Sequence, residues 1–217
     1  DMYIRVAIAE LTSFIFIPLV FQGLYQIFNK QGKKPEIYLI IGSTGLVLSH
    51  TVIAMLTAIF AFIYVIINAK KLKDKDIIVK IVISLLFIIG ITCFFTIPLI
   101  EQKMTTDYEV FKPGRMEREE VLIYYKLNPI DLLYTSNERM VFDIGIVTII
   151  GLVLTPFAIK VVDKKYKIIY LFSLIAGVVS VIMTLKIFPF EKLPSILKML
   201  QFSFRMLEFS SFFFAIV

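Results

Sequence analysis

Cysteine and histidine are almost missing from this chain, which has one of each, Cys93 and His50, among its 217 residues. A single cysteine cannot form a disulfide within the chain or a thiolate cluster. The spacings typical of metal ligands, a glycine-rich phosphate loop and a Gly-x-Ser-x-Gly elbow are missing as well. The sequence therefore predicts no metal site and assigns no cofactor, and no internal repeat or low-complexity linker divides it.

Charge is also scarce: charged residues make up 18% of the chain, hydrophobic residues 59%, and the mean hydropathy is +0.87. This composition is typical of an integral membrane protein. Several apolar runs approach the roughly 20 residues needed to cross about 30 Å of hydrocarbon. We predict an all-α, polytopic transmembrane helical bundle with about seven membrane segments, forming a single transmembrane domain over residues 1–217. The runs are Val6 to Phe28, Ile37 to Ala69, Ile77 to Leu99, Ile144 to Ile159, Ile168 to Leu185 and Phe202 to Val217.

Lysine clusters on alternate connections predict the orientation of the bundle. By the positive-inside rule these connections are cytoplasmic. The net charge of +6 then reflects lysines near anionic inner-leaflet lipid, and no nucleic-acid partner is expected. The clusters are Lys30, Lys33 and Lys34; Lys70, Lys71, Lys73 and Lys75; and Lys160, Lys164, Lys165 and Lys167.

The segment from Glu101 to Asp143 has the opposite charge balance. It holds six Lys or Arg residues against nine Asp or Glu residues, which suits the outer face. We predict an extracytoplasmic loop region over residues 101–143. Short helices are possible at Met116 to Leu127 and from Ile130 to Leu133 onward, separated by the breaker Asn128-Pro129.

Both flanks of the run Ile37 to Ala69 are predicted to be cytoplasmic, so the run must cross an even number of times. Its 33 residues leave about 16 for each arm of a hairpin, which is short of a full crossing. The tip is predicted near Ser49-His50-Thr51, and Gly42 and Gly45 would let the first arm pack closely. Because backbone that turns at membrane depth must be buried or face water, His50 is expected to line a cavity. The alternative is one tilted helix with a misassigned lysine cluster.

Polar side chains near the outer ends of the first and third runs are costly enough to indicate function. Glu10 enters the first run and is expected to belong to a site. Arg5, just before that run, either extends its charge into the interface or binds a ligand. Glu101, which follows Pro98, either marks the exit of a helix or contributes to the same site.

A second polar group lies near the last run. Gln201, Arg205 and Glu208 are spaced by four and three residues, so one helix would place them on one stripe. That stripe is either an internal Arg–Glu pair between helices or an anion site, because a guanidinium group matches phosphate oxygens in a bidentate fashion.

Taken in order, these polar positions resemble the successive signatures of bacterial polytopic proteins called "6-pyruvoyl-tetrahydropterin synthase-related", a label that implies no pterin chemistry here. Those proteins resemble the C-type glycosyltransferase superfamily of multi-span enzymes, which use lipid-phosphate-linked sugars at the extracytoplasmic face. The resemblance spans nearly the whole chain. The motifs are Tyr3-Ile4-Arg5-x-x-Ile8-x-Glu10 with Phe16-Ile17-Pro18-Leu19, Leu48-Ser49-His50, Ile97-Pro98-Leu99-Ile100-Glu101 and Leu200-Gln201-Phe202-Ser203-Phe204-Arg205.

The chain departs from this pattern in two places. Ser203 and Phe204 stand where the relatives tend to have Pro and Trp, as in a divergent member. The acidic residue that such transferases carry in their first outer loop would precede Asp1. Because the chain starts with Asp1 and ends within an apolar run, we expect a fragment of a longer polytopic protein.

The resemblance implies a membrane glycosyltransferase-like protein of bacterial envelope polymer assembly in the plasma membrane. Membrane lipid and a lipid-phosphate-linked sugar are the implied partners, and the oligomeric state stays open. Alternative functions are a transporter or lipid flippase, or a non-catalytic membrane partner in an envelope complex. We expect the site residues to converge on one cavity at the outer face. The candidates for proton transfer are Glu10, His50 and Glu101, and the candidates for substrate binding are Arg5, Gln201 and Arg205.

Overall fold

The computed structural model describes residues 8–105, 124–133, 146–189, 192, 200 and 202–217. These residues are helical and include no β-strand, so the all-α prediction is confirmed. The chain forms two compact units, residues 1–111 and 112–217. The single transmembrane domain stays a prediction.

The described residues of the first unit form five α-helices. They are α1 (Ile8–Ser13), α2 (Phe16–Asn29), α3 (Pro35–Ser49), α4 (Thr51–Ile67) and α5 (Lys75–Thr105), with a 3-10 helix at Ala69–Lys73 before α5. The second unit contains α6 (Ile146–Val161), α7 (Lys167–Thr184) and α8 (Met206–Phe214), with 3-10 helices at Pro129–Leu132 and Ser203–Arg205.

Local sequence explains the tight turn between α2 and α3. Lys30 ends α2 in the left-handed conformation (φ 52°), and its N–H donates to the carbonyls of Gln26 and Ile27. Gly32 follows with φ 74°, a conformation that glycine adopts without steric cost. Pro35 then occupies the first turn of α3, where its missing N–H costs nothing. The turn returns the chain antiparallel to α2.

The two helices approach one another at backbone distance. A Cβ placed on Gly42 would lie 2.8 Å from the backbone nitrogen of Val20, and one on Gly23 would lie 2.6 Å from that of Leu39. A Cβ placed on Gly45 would overlap ring carbons of Phe16. The prediction that Gly42 and Gly45 allow the first arm to pack closely is confirmed.

The hairpin is confirmed as well, because α3 and α4 are separate helices that meet at His50. Helix α4 runs back toward the end of α2: the Tyr64 ring meets the Phe28 ring edge-on, with centroids 6.0 Å apart. Beyond α4, Lys71 Nζ donates to Asn29 Oδ1 at 3.0 Å. A single tilted helix is excluded, and the first two lysine connections lie at one end of the unit, here called the lysine end. The opposite end, at His50, is the tip end.

The expected count of about seven membrane segments is wrong for the described residues. Three helices are long and apolar enough to cross a membrane: Ile8–Asn29, Lys75–Gln102 and Lys167–Thr184. Helices α3 and α4 are the shorter arms of the hairpin. The last predicted run, Phe202 to Val217, forms only a 3-10 turn and the nine-residue α8, which is about 14 Å long.

Two boundaries of the predicted outer loop also differ. Helix α5 does not stop near Pro98 but continues through it and past Glu101 to Thr105. The predicted helix from Ile130 is a 3-10 turn that starts at Pro129 and is capped by Asn128 and Asp131. Most of the predicted helix from Met116 to Leu127 lies outside the described residues, but its last residue is extended and bridges to Leu185.

Candidate functional site

The strongest candidate at the tip end is Glu10. This glutamate is 2% exposed and lies on the short helix α1, which contacts α2 and both arms of the hairpin. Ser13, the last residue of α1, donates from Oγ to the Glu10 carbonyl at 2.5 Å. Burial of a carboxyl group has to be compensated by polar interactions, which favours a functional role.

His50 forms the junction of the two arms. Its backbone is extended (φ −154°, ψ 104°), and its Nδ1 atom accepts a hydrogen bond from the Ile53 backbone N–H at 3.3 Å. The side chain therefore caps the N-terminus of α4. A neutral imidazole that accepts a bond at Nδ1 carries its proton on Nε2. The side chain is half-buried.

Glu101 is at the same end of the first unit but on a different level. An apolar cavity lies between helices α2, α3, α4 and α5, and its wall includes Ala54 on α4 and Ile88 on α5. His50 lies about 6 Å beyond Ala54, whereas Glu101 lies about 20 Å beyond Ile88 along its helix. Glu101 is exposed there. The structure thus packs the Glu10 helix against both arms of the hairpin and places Glu101 further out along α5.

Arg205 belongs to the second unit and is 6% exposed. Its Nη1 atom donates to the Leu200 carbonyl at 2.9 Å, and its Cζ atom lies 5.0 Å from the centroid of the Phe202 ring. The expected helical stripe is wrong at its first step, because Phe202 is extended (φ −132°) and α8 begins only at Met206. Both of these contacts of Arg205 are structural.

Sequence reasoning missed Lys126, which is 8% exposed and donates from Nζ to the Phe188 carbonyl at 2.7 Å. Two further bonds hold the same segment: Ser203 Oγ donates to the Tyr125 carbonyl at 2.7 Å, and the Leu127 N–H donates to the Thr184 carbonyl at 2.8 Å. The sequence carries no signal for these pairs, since each joins residues far apart in the chain.

Two of the predicted site residues, Arg5 and Gln201, lie outside the described residues. Glu208 is buried on α8. Convergence of Arg5, Glu10 and Arg205 on one cavity stays a prediction. Within the described ranges, no group of three or more His, Cys, Asp or Glu side chains could hold a metal ion.

Comparison with known proteins gives one similarity. The chain is 29% identical over 194 residues to a protein of Lactococcus lactis subsp. cremoris (strain MG1363) that is named "Uncharacterized protein". The alignment covers 82% of this chain but only 30% of that relative. No protein-family model matches the chain, and no solved structure matches it.

Proposed function

We propose that the chain is part of a multi-span glycosyltransferase-like protein of bacterial envelope polymer assembly, located in the plasma membrane. The protein would use a sugar carried on a lipid phosphate at the extracytoplasmic face. The observation that supports this best is the buried Glu10 on a helix that contacts both arms of the hairpin. Glu10 and His50 lie at the end of the first unit opposite the lysines, where the positive-inside rule predicts the outer face.

The reaction would be a displacement at the anomeric carbon. An acceptor hydroxyl attacks that carbon, the bond to the lipid-phosphate oxygen breaks, and the hydroxyl proton passes to a base. A carboxylate such as Glu10 is suited to accept that proton. His50, which carries its proton on Nε2, can donate a hydrogen bond to a phosphate oxygen. Arg5 and Arg205 remain the guanidinium candidates that the sequence offers for a phosphate.

A transporter or lipid flippase is the second candidate, and the break at His50 favours it. Discontinuous helices at membrane depth line substrate sites in many transporters. The same two residues would then bind a polar headgroup in transit without chemistry. Transfer and translocation are separable by assay, so one preparation can test both functions.

The test uses the full-length protein reconstituted in vesicles with polyprenyl-phosphate-linked sugars and a soluble acceptor. We expect Glu10→Gln to lower transfer by about 10²- to 10⁴-fold, the usual contribution of a general base. Glu36→Gln makes the same change on α3 at the lysine end. It should leave the transfer rate within about twofold, because Glu36 lies at the end opposite Glu10 and has no part in the proposed proton transfer. Full transfer by Glu10→Gln would overturn the catalytic assignment.

His50 needs a variant that keeps its capping role. Asparagine is a strong N-cap residue, so His50→Asn should retain thermal stability while transfer falls. His50→Ala should lose both. If His50→Asn transfers sugar at the original rate, His50 is only a cap. If no variant or wild-type protein transfers sugar but the vesicles redistribute labelled lipid between leaflets, the transporter function replaces the enzyme.

A further inference from the structure

The arms of the hairpin are splayed, and the space between them is an apolar cavity in the first unit. Its volume is about 470 Å³, within the range of roughly 300–1,000 Å³ of ligand pockets. Helices α2, α3, α4 and α5 all contribute to its wall. Apart from two hydroxyl groups, the wall is aliphatic or aromatic. Lining residues include Leu24, Ser43, Thr57, Ala58, Ala61 and Ile81.

A second cavity, of about 650 Å³, opens at the lysine end of the same unit. Four lysines and one aspartate line it: Lys30, Lys70, Lys71, Lys73 and Asp74. Lys30 pairs with Asp74 and Lys71 is bound to Asn29. Neither Lys70 nor Lys73 pairs with an acidic side chain in the described part of the chain.

The electrostatics of this basic pocket favour an anion. Burial lowers the pKa of Lys71, which means that its charged form is not fully solvated. An anionic group in the pocket would restore that solvation. With four lysines against one aspartate, the pocket carries a clear excess of positive charge.

The two cavities are neighbours along the same helices. Leu24 of α2 lines the apolar cavity and Phe28, one turn further, lines the basic pocket. On α5, Ile81 and Ile77 have the same relation. One turn rises about 5.4 Å, so the two cavities are close enough for one molecule to occupy both.

We infer that this composite site binds one anionic phospholipid, with its phosphate among Lys70, Lys71 and Lys73 and an acyl chain in the apolar cavity. A cavity wall as apolar as lipid tails cannot by itself select a lipid from the bilayer. The lysines supply that selection, since basic pockets between membrane helices recognise anionic headgroups. The basic pocket lies at the opposite end from Glu10 and His50, and neither residue lines the apolar cavity, so the proposal does not depend on the proposed transferase.

Binding is measured with the purified full-length protein and radiolabelled phosphatidylglycerol, with phosphatidylcholine as the neutral lipid. We expect saturable binding of one phosphatidylglycerol and at least tenfold weaker binding of phosphatidylcholine. The triple variant K70Q/K71Q/K73Q should bind phosphatidylglycerol at least tenfold more weakly. Its matched control, K164Q/K165Q/K167Q, removes the same charge from another predicted cytoplasmic connection and should change affinity less than twofold.

The acyl-chain half is tested by filling the cavity. A58F/A61F on α4 should lower affinity at least fivefold, whereas Ala158→Phe on α6, outside the cavity wall, should not. Soluble glycerol phosphate, which has no chain, should fail to compete. Equal losses in the two lysine triples would show general attraction to anionic surfaces and overturn the site. Competition by glycerol phosphate, or full binding by A58F/A61F, would overturn the role of the apolar cavity.

Discussion

Each of the two units of this protein is stabilised internally by a different kind of contact. In the first unit, α2 and α3 are joined by a short turn and meet at backbone distance through Gly23 and Gly42. In the second unit, side chains bond to the backbone of segments far along the chain: Ser203 to Tyr125, 78 residues apart, and Lys126 to Phe188, 62 residues apart. The first unit therefore depends on local order and the second on pairings at long range.

That difference explains what the sequence could predict. The hairpin, its break at His50 and the glycine-lined arm follow from charge parity, run length and small residues, which are all local. The cavity between the arms did not follow, because parity says nothing about how far two helices splay. The same holds for Lys126, whose partner is set by the tertiary fold alone.

The site follows the same division. The cost of a carboxyl group in an apolar run marked Glu10 before its burial was known. The stripe from Gln201 to Glu208 failed because helical spacing assumes a helix, and Phe202 is extended. The Arg205 side chain donates to the Leu200 carbonyl, five residues earlier. The spacing of polar residues along the sequence does not predict this bond.

Gly23→Val tests the close packing of the first unit and has the largest expected effect on the free energy of unfolding. A Cβ at this position would lie 2.6 Å from the Leu39 backbone nitrogen, so α2 and α3 must separate. We expect a loss of about 3 kcal/mol in the free energy of unfolding, the upper end of the usual range for overpacking. The measurement is unfolding in detergent followed by circular dichroism.

Gly90→Val on α5 is the matched control. No described atom lies within 4 Å of the Cβ position at Gly90, and valine is a slightly better helix former than glycine. Its stability should stay within about 0.5 kcal/mol of wild type. If the two variants are equally stable, the close approach of α2 and α3 does not hold the first unit together.

Arg205→Ala tests the bonds from side chains to the backbone in the second unit and gives the next largest effect. It removes a charged donor from the Leu200 carbonyl and the cation from the Phe202 ring. We expect a loss of about 2 kcal/mol, in the range for hydrogen bonds to charged groups. Ser203→Ala removes one neutral bond to the Tyr125 carbonyl and should cost about 1 kcal/mol.

The same Arg205 variant separates structure from ligand binding. The Arg205→Ala variant could be as stable as the wild type without ligand and yet bind a lipid-phosphate sugar more weakly. That result would assign the guanidinium group to substrate binding. Lower stability with unchanged binding would assign it to the turn that it closes. Arg205→Lys keeps the charge but not the bidentate geometry, so it should recover part of the stability and little of a phosphate contact.

The smallest expected effect concerns Lys30 and Asp74, an exposed ion pair that joins the two lysine connections of the first unit. The hydrogen bond from Lys30 lowers the pKa of Asp74 below its ordinary 3.8. The bond to Asp74 raises the pKa of Lys30 above its ordinary 10.5. The Asp74 contribution is present above 3.8 and is lost as pH falls through its folded pKa. The Lys30 contribution is present below 10.5 and is lost as pH rises through its folded pKa.

Asp74→Asn should therefore be slightly less stable than wild type between these limits. The difference should vanish in acid below the folded pKa of Asp74. Added salt should shrink it at neutral pH, because exposed pairs are screened. The measurement is the free energy of unfolding of both proteins across pH at low and high ionic strength. A difference that persists at low pH would contradict this account, because Asp74 is uncharged there and the asparagine side chain can also accept the bond from the Asp76 N–H.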